Sequence, residues 1–156
     1  MTWKPNVTVA AVIEHERRFL LVKEKIAGKH VYNQPAGHLE EGETLVEAVT
    51  REVLEETACH FEPHALVAIQ LWRHPHNGIT FLRFGFCGQI THHDPTRPLD
   101  PDIVATGWFE RHEIDTMRNQ LRSPLVWESI VAYESGHRIP LDILQTFFEP
   151  GSHPKL

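Results

Sequence analysis

Read as a helix from Thr44 onward, the segment GHLEEGETLVEAVTREVLEETAC (residues 37–59) sets Leu45, Ala48 and Val49 on one stripe. It then runs that stripe into Glu52, Glu55 and Glu56. A helix advances about 100° per residue, so Glu55 and Glu56 lie about 60° and about 40° to either side of Glu52. A face that begins as core therefore ends as three carboxylates in one narrow sector. Carboxylates this close repel one another, and partial burial raises their pKa values further. A divalent cation compensates directly, and an oxygen-only donor set of this density suits Mg2+ or Mn2+. Taken alone, REVLEE describes equally well a solvated acidic helix face on which Arg51 makes surface pairs.

The residues ahead of the helix shift that balance. Thr44 followed three residues later by Glu47 is a capping box, which fixes the helix start. AGHLEEGE supplies two glycines and a further carboxylate, Glu43, immediately upstream. A glycine-containing loop running into a helix start brings backbone groups close to a metal or a phosphate.

Around this segment the chain reads as strands, helix, strands, helix. Residues 7–13 and 18–25 are apolar runs joined by the polar turn 14–17, a hairpin. Residues 31–37 (VYNQPAG) form a short extended segment in which Pro35 argues against a central ladder position. Residues 65–73 and 79–90 form a second hairpin, with Asn77-Gly78 as its turn signal. Residues 103–109 make another strand. Residues 124–134 form a helix with Leu125, Ser129, Ala132 and Tyr133 on one face, and residues 115–121 hold part of a shorter one. His92-His93 falls in a polar loop. Hairpins dominate, so the expected class is α/β in the α+β sense, a mixed sheet flanked by helices.

With 156 residues, 41% of them hydrophobic and 23% charged, and no linker or repeat, the chain reads as one folded domain over 1–156. The net charge of −6 and the lack of any basic run disfavour duplex nucleic acid as a partner. No apolar run reaches the ~18 residues of a membrane span, and MTWKPNVTV has no apolar signal core, so the expected location is the cytoplasm. Twelve histidines are scattered without zinc-site spacing. Cys59 and Cys87 read as two small buried hydrophobes.

The segment resembles the Nudix box, whose pattern is G-x5-E-x7-R-E-U-x-E-E-x-G-U with U a bulky aliphatic residue. Gly37, Glu43, Arg51, Glu52, Val53, Glu55 and Glu56 match at the family's spacing, while Ala58 and Cys59 replace its final glycine and aliphatic residue. The departure bears on the helix exit, not on the carboxylates. From WKPNVTVAAVI through YNQPAGHLEEGETLVEA to LRSPLVWESI, the chain is also similar to bacterial phosphatases of that family. The resemblance implies an α/β/α sandwich with a mixed sheet. It also implies a Mg2+-dependent pyrophosphohydrolase or phosphatase acting on nucleoside tri- and diphosphates and thiamine-type pyrophosphates, as a monomer or a homodimer. Carried over residue by residue, Glu52, Glu55 and Glu56 hold the metal with the carbonyl of Gly37. Water attacks phosphorus with Glu52 or Glu55 as base, and Arg51 orients Glu52 and pairs with Glu43. A further carboxylate ligand from outside the helix is common in the family, with Asp100 and Asp102 as candidates.

Substrate contacts are read from residue type. Lys23, Lys25 and Arg83 are strand cations within reach of phosphates, although such residues more often face solvent. Trp72 is a candidate to stack on a base or thiazole ring, or simply to pack. Asn33 and Gln34 precede the box loop and are candidates to read a polar substrate group. Ser123 reads as an N-cap. Two rival readings stand beside the hydrolase. One is a catalytically silent nucleotide-sensing module, favoured only by Ala58 and Cys59. The other is a prenyl diphosphate isomerase, which would require a catalytic cysteine, and Cys87 has no activating base nearby in sequence.

Overall fold

A computed structural model describes residues 1–149. β1 (Asn6–His15) turns into β2 (Arg18–Ile26) through Glu16 and Arg17, at φ 50° and 63°. Two successive positive φ values are the signature of a type I′ hairpin turn. The strands pair only at Glu14–Phe19 and His15–Arg18 and then diverge. β2 continues between β3 (Lys29–Asn33) and β7 (Ile103–Glu110). β1 runs between β4 (Ala36–His38) and β6 (Thr80–His93), the latter in parallel. β6 pairs with β5 (Cys59–Arg73), and β8 (Ile139–Pro140) pairs with β5. One parallel pair among antiparallel neighbours makes the sheet mixed, as the hairpin-rich sequence predicts.

Strand alternation builds two cores from the same strands. On one face Val9, Ala11, Ile13, Leu20, Leu66 and Phe86 meet Ala48, Val49 and Val53 of α1 (Leu45–Thr57). On the other, Val12, Phe19, Leu21, Ala65, Val67 and Cys87 meet Ile114 of α2 (Arg111–Thr116) and Val126, Trp127 and Ile130 of α3 (Pro124–Glu134). This is the expected layered arrangement, with helices on both faces of the sheet. Among the described residues no helix is long and apolar enough to cross a membrane.

Thr44 caps α1 as expected: its hydroxyl accepts from Glu47 N at 3.0 Å, and Glu47 Oε1 accepts from Thr44 N at 2.8 Å. The helix ends at Ala58, whose φ of 58° and ψ of 22° are left-handed. A non-glycine residue there carries a conformational cost of about 1–2 kcal/mol. The family's glycine position is thus a real conformational requirement, met here by an alanine whose N–H bonds Leu54 O at 2.9 Å.

Several expectations need correction. β5 starts at Cys59, directly after the helix, not at residue 65. Its register with β6 shifts at His60/Phe61, Pro63/Ala65 and Leu66/Ala68, and such bulges break the period-two pattern that marks a strand in sequence. His92 and His93 accordingly lie on β6 rather than in a loop, paired with His60 and Cys59 though still exposed. The short helix begins at Arg111, and a separate 3-10 turn occupies Arg118–Gln120. α3 spans the expected residues, but its buried face is Val126, Trp127, Ser129 and Ile130. It is apolar over most of its circumference, so its sequence pattern does not single out a face.

Phe86 is fully buried against α1. Phe86→Ala will lower stability by about 3–5 kcal/mol, read as a lower urea midpoint at unchanged slope.

Candidate active site

α1, β4 and the ends of β2 and β6 enclose a cleft of about 570 Å3, within the size range of small-molecule sites. Glu52, Glu55 and Glu56 line it from α1, Gly37 from β4, Glu24 from β2, and Asp100 from the loop before β7. Glu52 and Glu56 are 9% and 7% exposed, in phase with Ala48, Val49 and Val53 at 0%. The sequence-derived stripe is therefore real: the core face of α1 becomes the acidic wall of the cleft.

Arg51 makes this wall tolerable. Its Nε and Nη2 donate to Glu43 Oε2 and Oε1 at 3.0 and 2.7 Å, a two-pronged pair. Nη1 donates to Glu52 Oε1 at 2.8 Å and to Glu55 Oε2 at 3.2 Å. Nη2 also reaches His38 O at 2.9 Å, tying the helix to β4. The Glu43 hydrogen bond raises the Arg51 pKa well above its ordinary value. Burial pushes Glu43 up, but the Arg51 hydrogen bond, the Glu40 N–H and the Arg51 charge together leave it below the usual carboxylate range.

The other carboxyls move the opposite way. Burial pushes Glu52 up to about 7, against the Arg51 hydrogen bond and charge. Burial also pushes Glu56 up to about 9, against a hydrogen bond from Ala36 N at 2.8 Å and reinforced by the charges of Glu24, Glu52 and Asp100.

Gly37 explains why the box opens with glycine. A Cβ built there would overlap the Glu52 carboxylate, so any side chain at 37 would drive Glu52 from its place beside Arg51.

The residues fit a hard divalent cation by donor chemistry. Among the described residues no three Asp, Glu, His or Cys side chains stand together at metal-holding distance as placed. Yet Glu52, Glu55 and Glu56 each give one carboxylate oxygen to the protein and keep the other free of protein hydrogen bonds. Three carboxyl oxygens left over on one cleft wall, with no nitrogen or sulfur donor among them, suit an oxygen-seeking ion.

The structure sorts the remaining candidates. Trp72 and Asn33 line the cleft, and Trp72 stacks on Phe81 at 6.0 Å. Arg83 also lines it but is only 5% exposed. Its guanidinium donates to Asn33 Oδ1 at 2.9 Å, Gln34 Oε1 at 3.0 Å and Ser129 Oγ at 3.0 Å. Burial lowers its pKa to about 10. Gln34 is fully engaged, its Nε2 donating to Val126 O at 2.8 Å, so it supports the cleft floor without lining it. Lys23 does not reach the cleft. It continues the Phe19–Leu21 face of β2, and its ammonium sits 5.8 Å from the Tyr32 ring centroid. Lys25 is exposed, and neither it nor Asp102 lines the site, whereas Asp100 does. Ser123 caps α3, accepting from Leu125 N at 3.2 Å, and also borders the cleft. Cys87 is buried, and burial pushes its thiol up, the reverse of activation.

Sequence reading missed Glu24 and Arg122. In VKEK the two lysines drew attention, yet Glu24 is the residue in phase with the buried Leu20 and Val22. Phe19, Leu20, Leu21 and Val22 are all buried, so both phases of β2 are apolar and the sequence marked neither Lys23 nor Glu24 as the inward residue. Arg122 had no signal either, because its partner lies 98 residues away.

Comparison with known proteins is consistent along the chain. A NUDIX domain family model matches residues 3–127. The chain is 47% identical over 148 residues to Phosphatase NudJ of Escherichia coli (strain K12), covering 95% of each, and matches Phosphatase NudJ of Shigella flexneri to the same extent. A solved NUDIX hydrolase from Nitrosomonas europaea superposes with a TM-score of 0.91 at 50% identity, covering 96% of this chain and 100% of that one. A MutT NUDIX hydrolase from Burkholderia pseudomallei superposes with a TM-score of 0.65 at 26% identity, covering 85% of this chain and 98% of that one.

Two outcomes follow from the geometry. Gly37→Ala will preserve the fold, as judged by circular dichroism, but reduce activity by about 10-fold or more through the displaced Glu52, consistent with the sensitivity of sites to shifts of about 1 Å. The second concerns pH. Glu52 and Glu56 have folded pKa values above the ordinary 4.5, so their contribution to stability is complete below that value and is lost as pH rises through about 7 and about 9. In EDTA the melting temperature will therefore fall from about pH 5 to about pH 9, and divalent cation will restore more at the alkaline end, measured by calorimetry.

Proposed function

This chain belongs to the Nudix family and is a hydrolase of phosphoanhydride bonds; we propose that it is a Mg2+-dependent one, acting on nucleoside tri- and diphosphates and thiamine-type pyrophosphates. The observation that carries the proposal is the Arg51 fork, which anchors Glu43, Glu52 and Glu55 while leaving carboxylate oxygens free toward one cleft. The likeness to Phosphatase NudJ supports the phosphatase reading and the substrate range that the sequence resemblance implies.

When bound, the cation supplies neutralisation of phosphate charge and activation of water; Mn2+ is the natural substitute for Mg2+. Glu52, Glu55 and Glu56 would hold it with the carbonyl of Gly37. Whichever of Glu52 and Glu55 keeps an oxygen uncommitted to the cation takes a proton from the attacking water. The new bond forms between that water oxygen and phosphorus. The bridging P–O bond breaks, and its electron pair leaves with the departing phosphate or organic phosphate. Arg51 keeps Glu52 turned toward the reaction, and the Ala36 N–H fixes Glu56. Trp72 offers a flat apolar wall for a base or thiazole ring, with Asn33 as a polar contact. The substrate is a small molecule handled in the cytoplasm by a monomer or homodimer.

The deciding assay is phosphate release, with and without added pyrophosphatase, from nucleoside triphosphates, nucleoside diphosphates and thiamine pyrophosphate. Release is expected with Mg2+ and not with EDTA. Glu52→Gln should lower it by about 100-fold or more, and Glu56→Gln should bring it to the EDTA level. Release without pyrophosphatase identifies orthophosphate as the direct product. Nucleotide binding with no release from any substrate would replace the hydrolase with a silent sensing module.

A further inference from the structure

The helix supplies only one wall of the acidic cleft. Across from it stands Glu24 on β2, 8% exposed. Its Oε2 accepts from Arg122 Nη1 at 2.6 Å. Its Oε1 is buried without a hydrogen-bond partner, and among the described residues no other buried side-chain nitrogen or oxygen is left so. Leaving a buried carboxylate oxygen unpaired is unfavourable, and native structures pair such atoms or give them an ion. Glu24 cannot escape by turning outward. It lies in phase with the buried Leu20 and Val22, and its other oxygen is anchored.

The anchor is itself built in. Arg122 N–H donates to Tyr32 O at 2.7 Å, and Leu121 forms a bridge to Tyr32. The LRSP segment is thereby stitched to β3, the strand next to β2, and Arg122 is presented to Glu24. Glu24 thus repeats the pattern of Glu52, Glu55 and Glu56: one oxygen held by the protein, the other left over toward the same cleft.

We propose that Glu24 Oε1 is a ligand of the divalent cation, which is thus held from the sheet as well as from the helix, with Arg122 as the positioning residue for that carboxylate. The inference rests on the hydrolase reading above and adds to it a strand ligand that the box spacing does not contain. Its geometric content is that the ion sits between α1 and β2 rather than on the solvent side of the helix.

The test is Mn2+ binding to the substrate-free protein, followed by electron paramagnetic resonance and calorimetry, so that no turnover enters. Glu24→Gln is nearly isosteric. Its amide oxygen can keep the Arg122 contact while its NH2 replaces the ligating oxygen. It should weaken Mn2+ binding by about 10-fold or more, with Arg122→Met showing a smaller loss in the same direction. Glu56→Gln serves as the reference. If Glu56→Gln weakens binding and Glu24→Gln leaves it unchanged, the strand ligand is overturned and the hydrolase reading stands. If Glu56→Gln has no effect either, the reading beneath it fails. Should Glu24→Gln not fold, a crystal of the unaltered protein soaked in Mn2+ decides. An anomalous peak within about 2.5 Å of Glu24 Oε1 supports the assignment, and a peak held by the helix alone overturns it.

Discussion

One guanidinium holds the acidic end of this fold together. Arg51 touches Glu43, Glu52 and Glu55 and the His38 carbonyl, so the loop before α1, the helix itself and β4 converge on a single positive charge. Without it, burying Glu52 beside Glu56 would place uncompensated carboxylates at the end of a core stripe. The arrangement is asymmetric by design. Glu43 is fully paired and pulled below its ordinary pKa, whereas Glu52 and Glu56 are only half satisfied and pushed above theirs. The paired carboxylate fixes the frame, and the half-satisfied ones retain oxygens to offer.

Close approach is the second requirement. Gly37 permits Glu52 to lie against the β4 backbone, where a methyl group would not fit. The Ala36 N–H adds the fixed hydrogen bond that Glu56 needs to stay buried. The exit of the helix is less strict. Ala58 takes up the left-handed conformation that glycine would adopt more easily, yet α1 still closes on Leu54 O and β5 starts at the next residue. The departure from the family pattern therefore alters a local conformational preference and leaves the carboxylate wall intact.

The floor of the cleft follows a different logic from its acidic wall. Arg83, Asn33, Gln34 and Ser129 form a buried polar network joining β6, the β3–β4 segment and α3. Such a network is favourable only when its members are satisfied, and here the guanidinium has three acceptors. It ties the α3 layer to the floor of the site. Arg83 was a reasonable candidate for substrate phosphate by residue type, but its hydrogen bonds are directed at the frame.

The amino-acid sequence by itself determined whatever depends on spacing along one helix or one turn. That includes the capping box at Thr44, the shared face of Glu52, Glu55 and Glu56, and the Asn77-Gly78 hairpin, whereas the pairing of Arg51 with Glu43 was implied only by the family resemblance. These are short-range geometries, fixed in the helix by a rise of 1.5 Å and about 100° per residue and in the hairpin by turn chemistry. Tertiary structure decided what depends on strands meeting. β5 is longer than its interrupted pattern suggests because bulges break the alternation. Lys23 turns away and Glu24 turns in because β2 is covered on both faces, and a strand's phase has no meaning until the cores exist. Arg122 reaches Glu24 across 98 residues. No local rule relates two residues so far apart; only packing brings them within 2.6 Å.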